Sequence, residues 1–193
     1  MSKKEHHKII PGNTKEWREW LTQNHIKEDG VWLIYYKKNA DKPTISWSEA
    51  VDEALCFGWI DSVKKPIDEE KFMQFFSKRK ANSLWSKINK EKVSKLTQAR
   101  KMTPAGFEII EKAKQNGMWT LLDEVEELII PKDLQQAFDA KPKALNYFLS
   151  LSKSVKKGML TWIVVAKREE TRQNRINEIV SCATNNKKPK HFG

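Results

Sequence analysis

The sequence predicts an α+β fold, with a small antiparallel sheet and helices in the N-terminal part and an all-helical C-terminal part that ends in a helix hairpin. Two observations lead to this prediction. Short runs of β-branched and aromatic residues occur only before residue 80, where they alternate with helical patterns. After a loop at 77–86, apolar residues recur only at helical spacings. The 193 residues, of which 39% are hydrophobic, suffice for a buried core.

The first predicted helix begins where Asn13 or Thr14 can serve as its N-cap. Its apolar residues recur at spacings of three and four and share one face: Trp17, Trp20 and Leu21. Asp29-Gly30 then predicts a turn. The run at 31–36, Val-Trp-Leu-Ile-Tyr-Tyr, predicts a largely buried strand.

The second predicted helix opens with a capping box at 46–49, Ser-Trp-Ser-Glu, and is closed by Gly58 in the left-handed conformation. Two strands follow, at 59–63 and 72–76, with a turn region at Lys65-Pro66 between them. This spacing predicts an antiparallel pair.

Beyond the loop at 77–86, helices are predicted to begin near residues 89, 104, 131, 142, 154 and 169. The last two, at 154–167 and 169–183, have an amphipathic period and predict the hairpin. We therefore divide the chain into an α+β region at 1–102 and a helical region at 103–186. Residues 187–190, Lys-Lys-Pro-Lys, have no core-forming residue, and the basic tail at 187–193 is expected to be mobile.

The net charge of +11 is distributed unevenly along the chain. Residues 41–70 carry about −5, whereas residues 71–101 carry about +9 and the segment from Lys153 onward carries about +7. Such basic segments either pair with acidic segments of the same chain or bind an anion.

Several classes of protein are disfavoured by the sequence. No apolar run approaches the roughly 18–20 residues that cross a bilayer, and residues 1–8 lack the features of a signal peptide. We therefore expect a cytoplasmic protein without membrane insertion. Cys56 and Cys182 are expected to be reduced and structural. Because the sequence has no paired histidines, Gly-rich phosphate loop or nucleophile elbow, we expect no metal or cofactor, and an enzyme is the less favoured class.

The best functional candidate is the loop at 77–86, because cations, hydroxyls and an indole together can bind an anionic or aromatic ligand. Its candidate binding residues are Lys78, Arg79, Lys80, Ser83 and Trp85. Strand alternation places Trp59 and Asp61 on one face, where Asp61 either orients a ligand or forms an ion pair that holds the basic loop. Arg172 and Arg175 share a helix face and either bind an anion or pair with carboxylates of the chain.

The segment at 54–61, Ala-Leu-Cys-Phe-Gly-Trp-Ile-Asp, resembles the YdeI/OmpD-associated family, whose name is linked to bacteriocin protection. Further blocks resemble this family in the same order, at 17–21, 30–33, 83–89, 102–106, 113–119 and 162–176. The resemblance covers most of residues 14–184, with the family-defining helical module at about 143–184. One departure is Lys78-Arg79, where the family commonly has Pro-Arg.

The resemblance implies a bacterial cytoplasmic protein that is associated with bacteriocin protection or envelope stress, with no established chemistry to transfer. We therefore expect a non-enzymatic protein that binds an anionic small molecule or an acidic protein partner through the basic loop. Two alternatives stay open: nonspecific nucleic-acid binding by the basic segments, and a small-molecule enzyme built around Asp61 and that loop. The enzyme alternative requires a pocket that joins Asp61, Arg79 and Trp85.

Overall fold

Nine α-helices and a four-stranded sheet make up the described residues, 5–192, of the computed structural model. These residues form two compact units. The first unit contains the described residues up to Ser83 together with Ile88–Trp119, and the second contains Leu84–Lys87 together with the described residues from Thr120 onward. The sheet lies in the first unit and the second unit is helical, so the predicted α+β class is confirmed.

The sheet has the strand order β1-β2-β4-β3, with β1 at Lys8–Ile9, β2 at Gly30–Tyr36, β3 at Trp59–Pro66 and β4 at Lys71–Lys78. β1 is parallel to β2, and the other neighbouring strands are antiparallel. The predicted antiparallel pair is therefore confirmed. The sequence analysis does not predict β1, because two residues are too few to show a strand pattern.

The prediction of a turn region at Lys65-Pro66 is wrong, because both residues belong to β3 and Pro66 pairs with Phe72. Proline is tolerated there since β3 is an edge strand, where a missing N–H need not break the ladder. The chain reverses at 67–70 instead, where the Asp68 carboxylate accepts hydrogen bonds of 2.9 and 2.7 Å from two backbone N–H groups.

Helices α1 (Thr14–Asn24) and α2 (Trp47–Cys56) begin at the predicted caps. The Asn13 side chain caps α1, and the capping box at 46–49 is present at the start of α2. Gly58 follows α2 with a φ of 72°, in the left-handed region predicted for it. The buried core of the first unit includes Trp17, Leu21, Leu33, Ala54 and Phe76.

Most of α3 (Lys87–Gln98) and all of α4 (Pro104–Gln115) also belong to the first unit. The division between the units falls after Trp119, whereas the sequence analysis divides the chain after residue 102. Thr103 ties α4 to α2, because its hydroxyl caps α4 and also donates a hydrogen bond of 2.7 Å to the carbonyl oxygen of Cys56.

The second unit contains α5 at Asp123–Glu126, α6 at Lys132–Asp139, α7 at Pro142–Ser150, α8 at Lys153–Val164 and α9 at Glu169–Thr184. α9 packs against α6, α7 and α8, so the last two helices are in contact as predicted. The core of this unit includes Leu134, Phe138, Phe148, Ile163 and Ile176.

Phe192, in the C-terminal tail, packs on the core of the second unit. Lys190–Phe192 forms a short 3₁₀ helix, in which the Phe192 ring centroid lies 5.7 Å from that of Trp162. The mobility of the tail stays a prediction, and residue 193 lies outside the described residues. None of the described helices has the length and apolar character that a membrane crossing requires.

Candidate functional site

The first unit contains a cavity of about 850 Å³ with a largely aromatic wall. Its aromatic lining residues are Tyr35, Tyr36, Trp47 and Phe72. A second cavity, of about 360 Å³, shares Trp47 and Phe72 with the first and is also lined by Asp61 and Gln74. The two cavities together are named the aromatic pocket.

One wall of the aromatic pocket is a stacked pair of rings. Strand alternation places Tyr35 on the buried side of β2, together with Val31 and Leu33. Phe72 is the register partner of Tyr35 on β4, and the two rings stack with centroids 4.9 Å apart and an interplanar angle of 6°. The antiparallel register therefore builds a flat aromatic surface.

The Tyr35 hydroxyl is the most unusual polar group of the aromatic pocket. Tyr35 is only 1% exposed, and its hydroxyl has no hydrogen-bond partner among the described residues. Burial raises the pKa of Tyr35, and the negative charge of Asp61 adds to this effect. Tyr35 is therefore a neutral phenol near pH 7, whose hydroxyl remains a hydrogen-bond donor.

Asp61 is held in place at the smaller cavity by two hydrogen bonds. Its Oδ2 accepts from the indole Nε1 of Trp47 at 2.9 Å and from the amide Nε2 of Gln74 at 3.1 Å. The same Gln74 nitrogen donates to the carbonyl oxygen of Ser62 at 2.9 Å, and the strand register shifts between Asp61 and Lys64. This irregularity in β3 places the carboxylate where an indole and an amide reach it.

Arg79 is buried, with 6% of its surface exposed. Burial lowers the pKa of its guanidinium to about 10, and the negative charge of Asp61 acts in the opposite direction. Arg79 is therefore still a cation near pH 7. Asp61 offsets part of the electrostatic cost of burying it.

Three lysines line the aromatic pocket: Lys37, Lys38 and Lys64. The Nζ of Lys64 lies 4.1 Å from the ring centroid of Phe72, a cation–π contact. The carboxylates of the pocket, Glu49 and Asp61, already accept hydrogen bonds from the chain. An anion that enters the pocket therefore meets lysines that can bind it.

The 77–86 loop does not place its candidate residues at one open surface. Arg79 is buried, and Trp85, which belongs to the second unit, is 1% exposed. Neither residue lines the aromatic pocket. The residues that accompany Asp61 there are Trp47 and Gln74, rather than the arginine and indole that the enzyme alternative requires.

The remaining candidates of this loop make local contacts. Lys78 donates a hydrogen bond of 2.7 Å to the carbonyl oxygen of Ile26 and forms an ion pair of 3.3 Å with Asp29. Lys80 is exposed, and its carbonyl oxygen accepts a hydrogen bond of 3.0 Å from the backbone N–H of Ser83. These contacts hold the loop against neighbouring residues of the first unit.

Trp59 is a core residue. Its indole donates a hydrogen bond of 3.3 Å to the carbonyl oxygen of His25, and its ring lies edge-on to Trp20 with centroids 5.8 Å apart. Of the predicted pair on this strand, only Asp61 therefore lines the aromatic pocket.

Arg172 and Arg175 are engaged within the second unit. Arg172 donates to both carboxylate oxygens of Asp133, at 2.5 and 3.0 Å. Arg175 donates at 2.5 Å to the carbonyl oxygen of Trp162 and stacks on its ring at 5.2 Å. The structure thus favours the alternative of internal pairing, with Asp133 as the carboxylate.

Cys56 is buried, and burial raises the pKa of its thiol to about 11, with a further contribution from the charge of Glu53. These surroundings disfavour the reactive thiolate. Among the described residues, no three His, Cys, Asp or Glu side chains are grouped so that they could hold a metal ion.

Of the residues that line the aromatic pocket, only Asp61 is among the candidates predicted from the sequence; Tyr35, Trp47 and Gln74 are not. A usable signal existed for Gln74, because it is a single amide in the aromatic run at 72–76 and shares strand parity with two phenylalanines. Tyr35 gave no such signal, since its stacking on Phe72 depends on strand register.

Comparison with known families matches both parts of the chain. Residues 9–109 match a family described as a domain of unknown function, DUF8412, and residues 127–186 match the family described as bacteriocin-protection, YdeI or OmpD-associated. No curated protein and no solved structure matches the chain. The second match confirms the predicted family for the helical module at 143–184, whereas the resembling blocks between residues 17 and 106 lie within the DUF8412 match. The chain therefore belongs to the DUF8412 family, whose model matches residues 9–109, and its residues 127–186 form a segment that matches the bacteriocin-protection, YdeI or OmpD-associated family.

Proposed function

We propose that this chain is a cytoplasmic, non-enzymatic ligand-binding protein linked to bacteriocin protection, and that it binds a small anionic aromatic molecule in the aromatic pocket. The observation that supports this most directly is the Tyr35 hydroxyl, which is buried at the pocket without a hydrogen-bond partner among the described residues. Native proteins rarely leave a buried polar group unsatisfied. A ligand oxygen would supply the missing acceptor once the side chains that cover the hydroxyl move aside.

The lining of the pocket defines the chemical class of this ligand. The larger cavity, about 850 Å³, lies within the range of small-molecule sites. The half-exposed indole of Trp47 offers a flat surface to an aromatic ring, and Phe72 adds apolar contact at the pocket wall. Lys38 and Lys64 supply positive charge for an anionic substituent.

The same geometry favours binding over catalysis. Nucleophilic catalysis requires a nucleophile within hydrogen-bond reach of a base. Asp61 is the candidate base, and the described side chains that donate to it are the Trp47 indole and the Gln74 amide, neither of which is a nucleophile.

Calorimetric titration with naphthoate and naphthamide tests the proposal, because these probes share a ring system and differ in charge. We expect naphthoate to bind more tightly than naphthamide. Tyr35→Phe, which removes only the hydroxyl, should weaken naphthoate binding by about tenfold. Tyr147→Phe, the same change in the second unit, should leave the affinity unchanged.

Two results would contradict the proposal: unchanged affinity in Tyr35→Phe, or equal affinity for the two probes. Absence of naphthoate binding would contradict the proposed ligand class. Loss of folding is distinguishable, because Tyr35→Phe removes an unsatisfied buried hydroxyl and should be at least as stable as the unmodified protein in urea.

A link to bacteriocin protection is tested in cells. A strain that lacks the gene should survive a bacteriocin less well than the parent, and the unmodified gene should restore survival better than the Tyr35→Phe gene. Equal survival of the deletion strain and its parent would argue against a protective role.

A further inference from the structure

The outer face of the sheet, opposite the aromatic pocket, carries a second aromatic cluster. Trp32 on β2 and Phe75 on β4 are register partners, and their ring centroids lie 5.0 Å apart. Both rings are partly exposed, and they line a cavity of about 740 Å³ together with Met73 and Val63. This surface is named the outer aromatic face.

Phe75 is held in a defined position on this face. A Cβ atom placed on Gly30 would lie 2.3 Å from the Cζ atom of Phe75, so the ring extends along the sheet and its tip occupies the space above Gly30. His6 packs edge-on against the same ring, with centroids 4.8 Å apart. Because the ring is ordered before a ligand arrives, stacking on it costs little conformational entropy.

Lysines lie on both sides of the aromatic pair. Lys65, on the edge strand β3, places its Nζ 4.8 Å from the ring centroid of Trp32. Lys8, on the opposite edge strand β1, is the register partner of Trp32. Both lysines line the same cavity, where Glu5 is the acidic residue. A polymer in which planar groups alternate with negative charges fits this arrangement.

We propose that the outer aromatic face binds single-stranded nucleic acid, with bases stacked on Trp32 and Phe75 and phosphates paired with Lys8 and Lys65. Aromatic rings on an exposed sheet are suited to unpaired bases, whose faces are accessible, and flanking cations are suited to the phosphates. The net charge of +11 favours the approach of a polyanion. This site is separate from the aromatic pocket and does not depend on its ligand.

Fluorescence anisotropy with labelled oligothymidylate and oligouridylate of about 12 nucleotides tests the proposal. We expect both to bind more tightly than a duplex of equal length, in which the bases already stack on one another. Binding should weaken as salt rises from about 50 to 200 mM. Polyglutamate should compete poorly, because it offers charge without bases.

Substitutions on the face separate stacking from charge. Phe75→Leu should weaken single-strand binding by about tenfold, whereas Phe107→Leu, the same change at an exposed position of α4, should have no effect. Lys65→Gln should reduce the dependence of log K on log salt by about 0.7. Lys80→Gln, which removes an exposed cation of the loop at 77–86, should leave this salt dependence unchanged.

The proposal is overturned if oligonucleotides fail to bind at low salt, or if duplex or polyglutamate binds as well as the single strand. It is also overturned if Phe75→Leu and Lys65→Gln both keep the affinity and salt dependence of the unmodified protein. Thermal unfolding of each variant shows whether a loss of binding reflects a loss of structure, and the exposed Lys65 provides the test if Phe75→Leu is unstable.

Discussion

The indole Nε1 of Trp47 donates a hydrogen bond of 2.9 Å to Oδ2 of Asp61, which joins the first residue of α2 to the edge strand β3. Trp47 is 50% exposed, so this bond, rather than burial, holds the indole as a wall of the aromatic pocket. The negative charge of the same carboxylate also favours the buried cation of Arg79. Asp61 therefore holds a wall of the aromatic pocket in place and also stabilises the first unit.

Asp61→Asn should destabilise the protein by about 1–3 kcal/mol in urea unfolding. The substitution keeps the shape of the side chain but removes the negative charge that offsets the buried cation of Arg79. Asp29→Asn is the matched control, since Asp29 forms an exposed ion pair with Lys78 and should cost at most about 1 kcal/mol. Equal costs for the two variants would show that Asp61 does not offset the charge of Arg79.

Asp133→Asn should reduce stability in a pH-dependent way. Hydrogen bonding and charge from Arg172 lower the pKa of Asp133 below its ordinary value of 3.8. The resulting stabilisation is present above that ordinary value and is lost as pH falls through the lowered one. The variant should therefore cost about 1–2 kcal/mol near pH 7 and progressively less below about pH 4.

Thermal unfolding of Asp133→Asn across this pH range checks that prediction. Asp139→Asn is the control on the same helix, because its exposed carboxylate accepts from Gln135 at the surface. Its effect should stay within about 0.5 kcal/mol. A cost of Asp133→Asn that is the same at pH 7 and in acid would contradict the proposed role of the Arg172 pair.

Gly106→Ala should destabilise the protein by about 2–3 kcal/mol, although alanine is the better helix former. The added Cβ would lie 2.3 Å from the carbonyl oxygen of Cys56, a backbone atom that cannot move aside easily. Gly117→Ala, with φ of 76° and open space around the new methyl group, tests backbone strain alone and should cost about 1 kcal/mol. If Gly106→Ala proved the milder change in urea unfolding, the close approach of α4 to α2 would be wrong.

The two cysteines should differ in reactivity with a thiol reagent at about pH 8. Burial raises the pKa of Cys56 to about 11, whereas Cys182 is partly exposed on α9. We expect one thiol to react in the folded protein and both in denaturant. Cys182→Ser should abolish the reaction of the folded protein, and a Cys56 that still reacted rapidly would argue against its burial.

Local features of the fold followed from neighbouring residues. The cap at Asn13, the capping box at 46–49 and the left-handed Gly58 each depend on atoms within a few positions of chain. The turn predicted at Lys65-Pro66 was wrong because it depends on residues far away in the chain. A proline is tolerated in a strand only at an edge or a bulge, and the place of β3 at the edge is a property of the whole sheet.

The amino-acid sequence by itself determined the α+β class, the caps and the antiparallel pair, because these depend on short-range spacing and composition. Its resemblance to a known family identified the segment that matches at 127–186. Only the tertiary structure decided which polar groups meet. Strand register set Tyr35 against Phe72, and the shift in β3 brought Asp61 to Trp47 and Gln74. Arg79 is buried, although its charge alone predicts a position at the surface. Such contacts join residues far apart in the chain, so their geometry is settled when the sheet and helices pack, and spacing along the sequence does not encode it directly.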